Sequence, residues 1–290
     1  MNRMEPKRRA AIVAALVEGV GIRSTCRMTG TSKGAVIKLI TDLGPICAAY
    51  MDQAFHDLPC KYLEVDEIWA FCYAKAKNVP EAKRGTFGFG DVWTFTAIDA
   101  ETKLIPSYMV GPRDAGTATE FMQDLASRMA HRIQLTTDGL KVYVGAVLDA
   151  FGGEVDYAML QKIYASTQEE HRYSPAVCTG CEKRAIQGNP DSKRVSTSYV
   201  ERSNLSMRMG LRRYTRLTNA HSKKLENHCA ALAIYFMHYN FARIHMTLRC
   251  SPAMAAGVTP HLWSVEEIVR LLPAEAPKKR GPYKKRAAAA

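Results

Sequence analysis

The feature that most constrains the fold is a change of apolar periodicity between Tyr62 and Ala165. "KYLEVDEIWAFCYAK" is rich in β-forming residues, and "VWTFTAIDAETKLIPSYMVG" reads as two further strands joined by a turn near Ala100 to Lys103. In "TATEFMQDLASRMAHR", Phe121, Met122, Leu125 and Met129 recur at helical spacing. "IQLTTDGL" is then a short strand closing in an Asp-Gly turn, "VGAVLDAF" is helical, and "VDYAMLQKIYA" is a further strand. Three strands in series followed by helix, strand, helix and strand predict an α/β domain.

The first 45 residues read differently, as an all-α unit. "PKRRAAIVAALVEG" places Pro6 in a first helical turn, Ile12, Leu16 and Val17 at helical spacing, and Gly19 as a stop. "IRSTCRMTG" is a second short helix ended by Gly30, and "TSKGAVIKLITDLG" is a third, with Ser32 as N-cap and Gly44 as its end. Two short helices joined by a tight turn fit a helix-turn-helix whose recognition helix runs from Lys33 to Thr41 and carries Lys33 and Lys38; a plain three-helix packing unit is the alternative. The expected organisation is a helix-turn-helix domain over residues 1–45, a larger α/β domain over 60–272, and a basic disordered tail over 273–290, "PAEAPKKRGPYKKRAAAA".

Charge points to a polyanionic partner. The net charge of the 290 residues is +12, and its excess is local: residues 191–250 carry 11 basic and 3 acidic side chains. Eight cysteines without framework spacing favour reduced thiols. Cys178 and Cys181 form one C-x-x-C, half of a zinc site for which His171 would be a third ligand, although a local loop explains it as well. With no secretory leader at the N-terminus and no run of 18 apolar residues, the expected location is the cytoplasm, without membrane contact.

Three acids stand out. Asp66 falls amid Leu63, Val65, Ile68 and Trp69, where an unpaired carboxylate is costly unless a metal or partner compensates it. Asp138 ends a strand, and a turn role before Gly139 is its ordinary reading. Glu201 opens a basic helix, on which Leu205, Arg208 and Arg212 share its face and Asn204 lies at i+3. Arg213, Arg216, Lys223 and Lys224 continue that surface toward DNA phosphate. Carboxylates from separate elements suit the two divalent ions, Mg²⁺ or Mn²⁺, that phosphodiester chemistry uses.

"YLEVDEIWAF", "TTDGLKVY", "STSYVERSNLSMRMGLRRYTRLTNAHSKKLENH" and "YNFARIHMTLRCSPAMAAG" resemble, in that order from about residue 60 to 270, the bacterial insertion-sequence-one type DDE transposases. The resemblance implies an RNase H-like fold of the integrase superfamily, with Asp66, Asp138 and Glu201 as catalytic metal ligands. It also implies hydrolysis and strand transfer on double-stranded DNA, namely terminal inverted repeats and target, in a nucleoid-associated homodimer or higher oligomer. Two other functions stay open: an inert, domesticated DNA-binding regulator, and a structure-specific nuclease without strand transfer. The best-known members begin with a cysteine-rich zinc segment, and here only Cys26 precedes Cys47.

Overall fold

Strand β1 (Tyr62–Cys72) is the axis of the molecule because its side chains are covered on both faces: Leu63, Val65, Ile68 and Ala70 are all buried. It pairs antiparallel with β2 (Gly90–Asp99), from Leu63 opposite Asp99 to Cys72 opposite Gly90. β2 pairs antiparallel with β3 (Tyr108–Gly111). On its other side β1 runs parallel to β4 (Ile133–Thr137), which is parallel to β5 (Val155–Tyr164); an antiparallel β6 (Cys178–Gln187) closes the edge. The result is a six-stranded mixed sheet in the order β3-β2-β1-β4-β5-β6. The computed structural model describes residues 4–164, 178–215 and 218–273.

Helices cover both faces. Glu67 and its cross-strand partner Phe95 point to the face covered by α4 (Ala115–Ser127) and α5 (Val142–Phe151), where Phe95 packs on Phe121 and Tyr143. Glu64 and Asp66, one residue out of phase, point to the face crossed by α6 (Ser198–Gly210). Beyond α6 lie α7 (Leu225–Met237) and the short α8 (Pro252–Ala255) and α9 (Val265–Arg270). The strand and helix order expected between residues 62 and 164 is observed, with α5 beginning at Val142.

The N-terminal helices are α1 (Pro6–Val17), α2 (Ile22–Thr29) and α3 (Lys33–Ala54). Gly30, left-handed at φ +62°, caps α2, and Ser32 accepts a hydrogen bond from Ala35 N at 3.3 Å to start α3. Gly44 does not end α3, which continues ten residues to Ala54. A Cβ on Gly44 would stand 2.4 Å from Ala230 Cα, so the glycine is a contact point between α3 and α7. Pro45 costs the helix a hydrogen bond, about 3 kcal/mol, and burial of Leu39, Ile40, Leu43 and Met51 at roughly 1.5–3 kcal/mol each offsets it.

One hydrophobic cluster extends from Ala10 through the sheet to Val269, so α1–α3 share a core with the sheet. α3 is long and apolar enough to cross a membrane, but its apolar side is against α7 and its outer side carries the Lys38–Asp42 ion pair at 2.7 Å. Residues 178–181, expected as a local loop, instead start β6; its largely exposed polar sequence gives no apolar alternation to read. Across a bulge in β6, Cys178 and Cys181 pair with Tyr164 and Lys162 of β5, which are two residues apart, so the two cysteines share a face of the strand; His171 lies outside the described residues. Most of the tail expected to be disordered also lies outside them.

The glycines yield a paired test. Gly44→Ala should destabilise the fold by about 1–3 kcal/mol, because backbone atoms of α7 must move. Gly34→Ala, where an added Cβ meets nothing within 4 Å, should be neutral or stabilising by up to roughly 1 kcal/mol. Chemical denaturation of both variants reads the two signs.

Candidate active site

Parallel register brings two of the three acids together. The last β1–β4 pair is Val65 opposite Thr137, so the next residues, Asp66 and Asp138, sit side by side where β4 ends. Glu67 joins them: one carboxylate oxygen from each of Asp66, Glu67 and Asp138 lies within 4.8 Å of the others. Because β4 stops at Thr137, carboxylates from opposite faces of β1 approach one another around its end.

The electrostatics of this cluster are unfavourable as it stands. Burial, then the charges of Glu67 and Asp138, push Asp66 up to about 7. Burial likewise raises Glu67 and Asp138. Partial compensation reaches Glu67 from Arg113, whose Nε donates at 2.6 Å, and from the Tyr143 hydroxyl at 2.9 Å. Arg113 in turn lies 4.6 Å above the Trp93 ring. Asp66 accepts from Glu67 N at 2.8 Å and from Asn204 Nδ2 at 2.8 Å, while Asn204 Oδ1 is buried with no hydrogen-bond partner.

Glu201 stands across from the cluster on α6, outside it but close enough for its charge to raise both Asp66 and Asp138. Its carboxylate is gripped by the Lys162 ammonium from β5 and accepts from Thr197 Oγ1 at 2.7 Å. Thr197 is the N-cap of α6, yet its hydroxyl serves Glu201 and leaves the helix backbone uncapped. Glu64 fills that role: its buried Oε2 accepts from Tyr199 N at 2.7 Å and Val200 N at 3.0 Å. Burial pushes the Glu64 pKa up, opposed by those two donors, Ser196 and Lys103.

The basic residues divide. α6 ends at Gly210, so Arg212 lies in a separate 3₁₀ turn (Arg212–Tyr214) and does not continue the face of Glu201. Asn204 faces Asp66, and Arg208 donates to Tyr214 O at 3.1 Å. Arg213 is turned inward to Ser222 Oγ at 3.0 Å, and burial lowers its pKa. That contact belongs to a buried chain linking Ser222, His228, Tyr214 and Thr94 through bonds of 2.9, 2.9 and 2.6 Å. Lys33, Arg212, Lys223 and Lys224 are exposed, and Lys38 is exposed but paired with Asp42. Arg216 lies outside the described residues.

Sequence reading passed over Glu64, Glu67, Arg113, Tyr143 and Lys162. For the first two a signal existed, since "YLEVDEIW" carries three acids inside an apolar strand. Arg113, Tyr143 and Lys162 come from distant elements and bear no local mark.

No protein-family model matches the chain, and no curated protein does. Among solved structures it is similar to piggyBac transposase in a cryo-EM synaptic complex with hairpin DNA. That similarity has a TM-score of 0.38 and 12% identity over 94% of this chain and 71% of that one. At so low a TM-score the likeness establishes neither fold nor function.

The raised Asp66 pKa predicts a pH dependence. A carboxyl titrating near 7 when folded and near 4 when unfolded contributes stability that is present below the unfolded pKa and lost as pH rises through the folded one. Metal-free protein should therefore lose stability between about pH 4 and 7, and Asp66→Asn should flatten that fall. Urea denaturation in chelator across this range measures it; an unchanged slope in the variant would remove Asp66 as the cause.

Proposed function

We propose that the protein is a DNA transposase that binds double-stranded DNA ends, hydrolyses a phosphodiester to free a 3′-hydroxyl, and joins that hydroxyl to target DNA. The observation that carries this reading is the pairing of Asp66 and Asp138 at the end of adjacent parallel strands, with Glu201 held across from them on α6. The element order and central parallel strands support an RNase H-like reading of the catalytic domain. The three-residue turn between α2 and α3 supports a helix-turn-helix, with Lys33 and Lys38 on the recognition helix. Synapsis of two ends calls for a homodimer or larger assembly.

The donor set suits hard divalent ions. Three crowded carboxylates, one with its pKa pushed up to about 7, lie beside the unpartnered amide oxygen of Asn204. A cation there would relieve the repulsion. Two Mg²⁺ or Mn²⁺ ions held by Asp66, Asp138 and Glu201 would supply activation of the attacking oxygen and stabilisation of the leaving one. Within the chain, Asn204 orients Asp66, while Arg113 and Tyr143 hold Glu67 beside the ligands. The Lys162–Glu201 pair is partly exposed and so worth at most about 1 kcal/mol, little to displace when Glu201 turns to a metal. On this reading Arg208, Arg212, Lys223 and Lys224 would meet phosphate along and beyond α6.

A second reading has one observation in its favour: a lysine on the third acid is what an inert, DNA-binding descendant would also display. The test separates them. With labelled DNA from the ends flanking the gene, cleavage should require Mg²⁺ or Mn²⁺, and Asp66→Asn, Asp138→Asn or Glu201→Gln should each lower it by about a hundredfold or more. DNA binding should survive each change. Metal should also raise the melting temperature more at pH 8 than at pH 6, because protons compete for the carboxylates. Binding without cleavage or thermal shift selects the inert regulator, and cleavage without joined product selects a nuclease.

A further inference from the structure

A groove of about 1010 Å³ lies between the N-terminal helices and the segment that follows α6. We infer that it binds single-stranded DNA, an assignment that rests on the reading of this protein as one that acts on DNA. One rim carries Arg23 and Lys33; the other carries Arg212, Lys223 and Lys224, all five exposed. The acid on the lining, Glu226, is paired with Lys224 at 3.3 Å. Between the rims the floor is apolar, with half-buried Leu16, Ile22 and Ile37 over buried neighbours.

A cationic rim over an apolar floor selects an occupant that offers anions at its edges and apolar faces between them. Duplex DNA presents its phosphates but keeps its base faces inside the stack, so the floor would gain nothing from it. A strand with unpaired bases satisfies both parts, phosphates on the rim and bases on the floor. His221 lines the same groove and adds an aromatic ring to it, backed by Phe71 with centroids 4.5 Å apart at an interplanar angle of 30°. At about 1010 Å³ the groove stands at the upper end of the range for small-molecule pockets, room enough for several units of a polymer. Arginines at both rims match phosphate through their planar, forked donors.

The groove is also rigidly built. Gly19, between α1 and α2, lies so close to Met209 of α6 that a Cβ would come within 2.2 Å of its carbonyl oxygen. On the opposite wall Arg213 is anchored to Ser222 within the buried chain that reaches Thr94 of β2. On α3, Lys33, Ile37 and Thr41 face the groove, whereas Lys38 is not among its lining residues. A single strand and a duplex would therefore use different sides of this helix.

Fluorescence anisotropy of the full chain in chelator tests the assignment, using an oligothymidylate of about 12 nucleotides, a duplex of equal length, and an acidic amphipathic peptide as competitor. The expected result is binding of the strand about tenfold or more tighter than the duplex. Ile37→Asp should remove most of that preference, while Lys38→Ala should leave strand binding unchanged. Arg212→Ala should reduce the salt slope for the strand by about 0.7, the loss of one phosphate contact. Because Arg212 is exposed, this variant decides the matter even where Ile37→Asp melts early. Equal affinity for strand and duplex, an unchanged slope in Arg212→Ala, or displacement of the strand by the peptide at lower concentration overturns the assignment. Strand binding in chelator does not depend on the acids, so absence of metal-dependent cleavage by the unaltered chain alongside intact strand binding counts against the transposase reading alone.

Discussion

A buried carboxylate, Glu64, ties the helix face to the sheet. It projects from the central strand into the uncapped first turn of α6 and accepts from two backbone N–H groups there. The exchange satisfies both sides: the helix N-terminus needs acceptors, and a carboxylate that is 2% exposed needs donors. Its position two residues before Asp66 on the same face means that one strand sets both the first acid and the helix bearing Glu201 and Asn204. Freed from capping, Thr197 orients Glu201 instead.

What this arrangement produces is a site under electrostatic tension. Asp66, Glu67 and Asp138 are crowded beyond what Arg113 and Tyr143 relieve, and burial, with the charges of Glu67 and Asp138 added to it, raises the Asp66 pKa. Glu201 has found a cation in Lys162. A constellation of acids that the fold compresses without neutralising is suited to receiving positive charge, and it is this physical property, more than any single residue, that supports the proposed chemistry.

Legibility in the sequence followed the range of the interactions. The strand and helix order between residues 62 and 164 was readable because apolar periodicity is local, and Asp66 was conspicuous because a charge in an apolar strand contradicts its surroundings. The end of α3 was misread at Gly44, since a glycine that stops a helix and one that admits Ala230 look alike in one dimension. The length of α6 was overread for a related reason: the arginines after Gly210 keep helical spacing on paper, but Arg213 is drawn into the polar chain with Ser222 and His228. β6 left no trace because an exposed edge strand buries too little to show alternation.

The sequence by itself determined the α/β class, the run of three strands before the first crossover helix, the two-helix turn around Gly30, and the concentration of positive charge after residue 190. These depend on spacing between neighbours and on composition, which the chain carries before it folds. Only the tertiary structure decided that Asp66 and Asp138 are adjacent, that Glu67 joins them, that Glu201 meets Lys162, and that cations of the N-terminal helices and of the segment after α6 frame one groove. Each of those is a contact between residues far apart in sequence. Strand register, the packing of α3 on α7 and the capping of α6 by Glu64 set their distances, and those are properties of the folded core as a whole.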